Sequence, residues 1–476
     1  MSRVRPQVHP GNRHYRVVCS ACGARYEDDG LMLDCTEPHE PALLRTEYAM
    51  HDGTSAYDGS SARDGSSARD GSSAPDGFTA PDGFTAPDGF TGSAGHTVTG
   101  LFRHARLLPV ARTFTGVPGP VVYHADRLGR RIGLSRLCVA FNGYWPERGA
   151  GLPTCTFKDL EAYTVLGRLP DDPPVLVIPS AGNTAAAFAW AASRRQVPCL
   201  IVVPAPALDG MRFPGPLDPC VRIVVLDGLA TYSDAIECAD LLARLPGHRA
   251  EGGCRNVGRR DGLGSVMLAA AEALGRLPRT YVQAVGSGTG AIGAHETAGR
   301  IRTDDEPLPR LLMCQNAPFA PLFEAWHSGG RAPAHREHEP LARELTNRRP
   351  PFTVRGGVRE VLTESGGDVL CADNVATLAA MALFEETEGI DIEPGAGVAL
   401  AALADAVRAG RVERDELVLL NITGGGRARQ AGDLPLVPAE PWLRVPWPAD
   451  GDGPRAVADQ VGRLLSYVPA PTGAGR

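Results

Sequence analysis

The chain has 476 residues, enough for two or three domains around a large buried core. Its 43% hydrophobic and 22% charged content is that of a soluble globular protein, and no apolar run approaches a membrane span. A net charge of −7 excludes the broad basic field of a nucleic-acid binder.

The N-terminus, MSRVRPQVHPGNRHYR, is polar and basic with no apolar stretch behind it, so it does not read as a secretory signal. Eleven cysteines, most of them scattered, point to unpaired thiols in a reducing cytoplasm rather than a disulfide frame. Three of them open the chain as a module. Cys19 and Cys22 form a C-x2-C beside Gly23, and Cys35 and His39 follow. Two such pairs supply the four soft or borderline ligands that a tetrahedral zinc site needs. A zinc ribbon that no longer binds metal is the competing reading, because the second pair is not a C-x2-C and Asp28, Asp29 and Asp34 surround it.

From Asp58 the sequence runs through six hexads, DGSSAR to DGFTGS, ending at Ser93. Few of these side chains could offset ordering entropy, so the tract reads as a disordered insertion without a binding role of its own. Beyond Leu101, short continuous apolar runs alternate with helical stretches. PPVLVIPS, PCLIVVP and VRIVVLDG predict one set of strands; TYVQAVGSG, RLLMCQN and ELVLLNITGGG predict a second. Strands of this kind, separated by helices, imply parallel sheets covered on both faces, hence two α/β units. A further helix is expected in the tail, near GPRAVADQVGRLLSYV.

Four punctuations at predicted strand or helix ends carry chemistry. The first is TCTFKDLEA. Of 48 basic side chains, 47 are arginine and one is lysine, and that one is Lys158. Arginine serves wherever a surface cation suffices, but it can neither lose its proton nor form an imine. At the positive end of a helix, Lys158 is expected to favour its neutral form. The second is PSAGNTA, where backbone amides at a helix start can hold a carboxylate, Ser180 and Thr184 add hydroxyls and Asn183 offers an amide. The third is AVGSGTGAIGAHE, where Gly286, Gly288, Gly290 and Gly293 follow a strand and open a helix, a phosphate cup of fixed backbone amides. Its G-x-G-x-x-G also admits a dinucleotide site, but no acid ends a strand about twenty residues later, and the Walker reading fails because no lysine follows. The fourth is NITGGG, where Thr423 and three glycines would let a flat ring approach the backbone. Each has a bland alternative as an ordinary turn. Together they suggest pyridoxal phosphate.

The segments FNGYWPERGAGLPTCTFKDLEA, SAGNTA, QAVGSGTGAIGAHE, IEPGAGVALAAL and NITGGG stand in the order found in fold-type II pyridoxal-phosphate enzymes, the tryptophan synthase β-like group, which the chain resembles. CSACGARYEDDGLMLDCTEPHEPALLRTEY resembles the start of the cysteate synthase branch, a relative of threonine synthase. The hexads interrupt the family pattern. This resemblance implies two parallel-sheet α/β domains with the cofactor between them, plus the small ribbon-like Cys/His module. The implied division is 1–50 for the module, 51–97 for the insertion, 98–150 with 250–449 for the larger domain, 151–249 for the smaller, and 450–476 for a C-terminal extension.

By the same resemblance Lys158 is the Schiff-base lysine and Asn183 bonds the cofactor's phenolic oxygen. Ser180, Ala181 and Thr184 grip the substrate carboxylate, and residues 286–290 hold the phosphate. Thr423 faces the pyridine nitrogen, whose neutral partner suits elimination and replacement over transamination. Glu393 receives no chemical role. The implied reaction is replacement of phosphate on O-phosphoserine by sulfite. Alternatives are γ-replacement on O-phosphohomoserine, β-replacement with another nucleophile, and a non-catalytic ligand-binding relative. Both anions would need arginines, with Arg148, Arg259 and Arg260 as candidates. The family analogy also implies a homo-oligomer.

Overall fold

The computed structural model describes residues 13–48, 99–180, 182–328, 339–347, 350–447 and 453–467. The hexad repeats and Ala181 lie outside the described residues.

The N-terminal module is a three-stranded antiparallel sheet in which Tyr15–Cys19 lies between Arg25–Tyr26 and Leu44–Tyr48. Tyr15, Val17, Cys19 and Leu44 alternate into a small core that is closed by Val257.

Two larger sheets follow. The five-stranded one runs His248–Ala250, Val175–Pro179, Cys199–Pro204, Val221–Asp227, Leu443–Pro446, all neighbours parallel. Ile178 stands opposite Ile201, and Ile201 opposite Ile223. The six-stranded one runs Asp368–Ala372, Arg310–Asn316, Thr280–Ala284, Val418–Ile422, Leu137–Phe141, Val121–His124, with only the last strand antiparallel. Cys199–Pro204, Thr280–Ala284 and Val418–Ile422 are buried along their whole length, because helices cover both faces. That double covering is what writes the strands as unbroken apolar runs.

Two features depart from the sequence reading. Three strands of the larger sheet, Val121–His124, Leu137–Phe141 and Asp368–Ala372, were not among those expected. The last strand, Leu443–Pro446, pairs with Val221–Asp227 and so belongs to the smaller sheet, although residues 250–449 were grouped with the larger unit. The expected tail helix forms at Gly453–Tyr467, and its Val457 and Val461 pack with Ala235 and Leu242 behind that sheet.

Between the sheets the helix Lys158–Arg168 packs on Val257–Leu274, which in turn packs on Thr289–Ile301. Every residue of the first helix after its lysine is buried. None of the eleven cysteines forms a disulfide, and no described helix is long and apolar enough to cross a membrane.

Candidate active site and metal site

One cleft collects the punctuations that the sequence scatters over some 270 residues. It is lined by Lys158, Ser180, Asn183, Thr184, residues 286–290 and Thr423. Ser180 follows the strand Val175–Pro179, the cup follows Thr280–Ala284, and Thr423 follows Val418–Ile422. The cleft therefore lies at the carboxyl ends of strands from both sheets, where open α/β sheets bind ligands.

Lys158 is the first residue of its helix. The turn before it is tied down on two sides. The Phe157 amide donates to the Thr423 carbonyl at 2.9 Å, and the Gly425 amide to the Cys155 carbonyl at 3.0 Å. Asp159 accepts from the Thr154 amide and hydroxyl, both at 2.9 Å. Cys155 adopts a left-handed φ of 57°, a costly conformation for a non-glycine residue that these contacts hold in place. The Lys158 amine lies 3.3 Å from Glu161 Oε2 and 4.9 Å from the centre of the Phe157 ring. Its pKa is lowered, as expected, but the leading cause is burial rather than the helix end. Glu161 opposes the shift and the Arg259 charge assists it.

Asn183 has both ends of its amide engaged. Its Nδ2 donates to Glu393 Oε2 at 2.8 Å, and its Oδ1 accepts from Arg427 Nη2 at 3.2 Å, while Arg427 Nε also binds Glu393. Ser180 Oγ accepts from the amides of Gly182 and Ala185, so it caps the start of the helix Asn183–Arg195. The Thr184 hydroxyl points to Glu161 Oε1 at 2.8 Å. In the cup, Gly288 has φ +82°, and a Cβ there would meet Val358 Cγ2 at 2.6 Å. The first amides of the helix Thr289–Ile301 face the cleft beside the Ser287 and Thr289 hydroxyls, which lie 2.7 Å apart.

Of the three arginines considered for anions, only Arg259 lines the cleft, and it is held by Glu161 and Glu251. Arg148 lies against the Tyr123 and Trp145 rings, which meet at right angles, at 4.0 and 4.6 Å from their centres. Arg260 is fully buried against Glu296 and the carbonyls of Cys254 and Leu44. Neither of these two lines the cleft.

Sequence reasoning missed Glu161, Tyr232, Glu344 and Arg427 as lining or contact residues, and it gave Glu393 no role. A local signal existed for Glu161, one helical turn after the lysine, and for Arg427, directly after the glycine run. Tyr232 and Glu344 carry no such mark. A second cavity of about 440 Å³ adjoins the cleft; Gly182, Asn183, Glu344 and Glu393 line both. Burial, then the neighbouring Glu393 charge, pushes the Glu344 carboxyl up to about 7.

Away from the cleft, the ligand atoms of Cys19, Cys22, Cys35 and His39 all lie within 4.8 Å of one another. Cys19 Sγ is 3.2 Å from His39 Nε2, and Cys22 Sγ is 3.6 Å from Cys35 Sγ. Zinc–sulfur bonds of about 2.3 Å in a tetrahedron separate sulfurs by about 3.8 Å, so the spacing fits such an ion. His39 Nδ1 meets the Glu40 carbonyl at 2.6 Å, which turns Nε2 to the cluster.

Residues 142–424 match the family described as pyridoxal-phosphate dependent enzyme. The chain belongs to this family. A protein named cysteate synthase from Methanoculleus marisnigri is 45% identical over 90% of this chain and 93% of its own length. Another of that name, from Methanosarcina acetivorans, is 41% identical over 73% of this chain and 86% of its own. Among solved structures, threonine synthase from Escherichia coli has a TM-score of 0.52 at 18% identity, covering 70% of this chain and 78% of that one. Maize serine racemase has a TM-score of 0.53 at 19% identity, with 66% and 90% covered, so the fold-type II architecture is shared.

The donor set of the cleft fits pyridoxal phosphate. It brings together a primary amine, the first-turn amides of a helix with two hydroxyls, a side-chain amide and a further hydroxyl, the kinds of group that an aldehyde, a phosphate and a polar aromatic ring call for.

Proposed function

We propose that the protein converts O-phospho-L-serine and sulfite to L-cysteate and phosphate. The carrying observation is that Lys158, Asn183, the cup and Thr423 share one cleft in a chain 45% identical to a cysteate synthase over nearly that protein's full length. When bound, the cofactor stabilises negative charge that develops at the substrate Cα.

The chain's own residues supply the rest. Lys158 would hold the cofactor through its aldehyde, and its amine, when free, would take the Cα proton and return it after replacement at Cβ. The Cβ–O bond breaks with its electron pair leaving on phosphate, and a Cβ–S bond forms with a sulfite lone pair. Asn183 would donate to the phenolic oxygen, and residues 286–290 with the Ser287 and Thr289 hydroxyls would hold the cofactor phosphate. Thr423 offers the ring nitrogen a neutral partner. The start of the helix Asn183–Arg195, with Ser180 and Thr184 beside it, would receive the substrate carboxylate. The adjoining cavity is of a size that accommodates a small amino acid.

The reading extends to a structural zinc on Cys19, Cys22, Cys35 and His39, to a homo-oligomer as the family resemblance implies, and to a cytoplasmic setting in keeping with eleven cysteines outside any disulfide. The two sheets serve as the cores of two α/β domains with the cofactor between them.

The test is a substrate panel. Protein loaded with pyridoxal phosphate should form cysteate and phosphate in equal amounts from O-phosphoserine and sulfite. Threonine from O-phosphohomoserine, with no cysteate formed, would overturn the assignment.

A further inference from the structure

Glu161 is wholly buried, yet it stands against the one lysine of the chain. Three elements hold its carboxylate. Oε2 meets Lys158 Nζ at 3.3 Å on the same helix. Oε1 accepts from the Thr184 hydroxyl at 2.8 Å and from Arg259 Nη1 at 3.2 Å, on two other helices. Arg259 is anchored in turn by Glu251.

This arrangement solves a problem that the lysine creates. Its nitrogen alternates between a bond to the cofactor and a free amine. A buried carboxylate paired with the lysine alone would be stranded, an uncompensated buried charge, whenever that nitrogen was engaged. Arg259 and Thr184 keep Glu161 partnered in both conditions, so it can release the lysine and take it back.

We propose that Glu161 is the positioning residue of Lys158: it sets how readily the ammonium gives up its proton and holds the freed amine toward the substrate Cα. This rests on the cofactor role of Lys158. The charged and titratable groups around the amine are Glu161 on its own helix, Arg259 on the helix Val257–Leu274, and Glu251 in the loop before it; Tyr232 adjoins Arg259. Glu161 and Glu251 favour the ammonium, while Arg259 opposes it.

The signs make the idea testable in the apo-protein. Capture of pyridoxal phosphate requires a neutral amine, and it is followed by absorbance and by borohydride trapping from about pH 5 to pH 10. E161Q removes the carboxylate charge, so the acid limb of capture should move about one unit to lower pH. R259Q removes the opposing cation, so the same limb should move to higher pH. E161D keeps the charge but withdraws it by one methylene, so its limb should stay near the wild-type pH while turnover falls at least about tenfold. Loss of packing alone would not displace the E161Q and R259Q limbs in opposite directions. Limbs of E161Q and R259Q that both superimpose on wild type would overturn the proposal. If E161Q fails to fold, R259Q decides, upheld by an upward shift and overturned by none. A wild-type protein that traps no cofactor at Lys158 would instead sink the cofactor role itself.

Discussion

The Asp28 carboxylate and the Arg168 guanidinium meet in a two-point ion pair, at 2.7 and 2.8 Å, with both side chains essentially sealed from solvent. Asp28 belongs to the Cys/His module, and Arg168 ends the helix that Lys158 begins. Arg168 also donates to Asn256, which caps the helix Val257–Leu274 through the Gly258 amide. Thr46 and Tyr48 reach Asp261 on that helix, and Arg300 on the cup helix joins the same carboxylate. The module is thus bonded to the scaffold of the cleft.

Breaking the pair should be costly. D28N leaves a buried guanidinium without its counter-charge and should lose about 3–5 kcal/mol in urea denaturation. The double variant D28L/R168M, which removes both charges, should recover most of that loss. Burial alone would raise the Asp28 carboxyl, but the Arg168 charge and its hydrogen bonds prevail and hold it below the ordinary carboxylate range. The folded value is below the unfolded one, so the stabilisation is present above about pH 4 and is lost as pH falls through the folded value. D28L/R168M should therefore show a weaker fall in stability below about pH 4 than wild type.

Lys158→Arg separates cation from amine. The arginine retains a positive charge beside Glu161, so the melting temperature should change by less than about 4 °C. Borohydride trapping should fall to background, because a guanidinium forms no imine. A trapped peptide in this variant would move the cofactor bond elsewhere.

Gly426 has φ +77°, and a Cβ there would lie 1.9 Å from the Tyr144 carbonyl oxygen. Its neighbours bind three separate segments, since the Gly424 carbonyl accepts from Glu393, the Gly425 amide donates to Cys155, and the Gly425 carbonyl accepts from Tyr144. Gly426→Ala should destabilise the fold by at least about 2 kcal/mol, measured by thermal and urea unfolding.

Arg427→Gln removes a clamp on Asn183. The amide keeps Glu393 but loses the cation at its oxygen, so the bound cofactor should be retained about tenfold less tightly in equilibrium dialysis. Unchanged retention would show that Glu393 alone orients Asn183.

If the module holds zinc, purified protein should contain about one equivalent of metal by mass spectrometry, and C22S should lower that content. Chelation should lower the melting temperature, because Asp28, Thr46 and Tyr48 lie on the module that the metal closes.

Much of this was legible without coordinates. The lone lysine, the amide-bearing cup, SAGNTA and NITGGG are short, contiguous signals, because each does its work with backbone or side chains of one turn. The continuous apolar strands also declared themselves, since a strand covered on both faces has no polar alternation to hide in. Leu443–Pro446 did not, because strand partners are chosen in space.

The single lysine at a helix start, and the glycine-rich turn that follows Thr280–Ala284, were determined by the sequence itself. The tertiary structure alone decided which charges surround the amine. Glu161 meets Arg259 across 98 residues, and Asn183 meets Arg427 across 244. Arg259 looked like a free anion binder and is instead held by two buried carboxylates. Pairings at such separations leave no periodic trace in the chain. They arise only when packed helices bring groups together in a poorly solvated space, where an unpaired charge is costly.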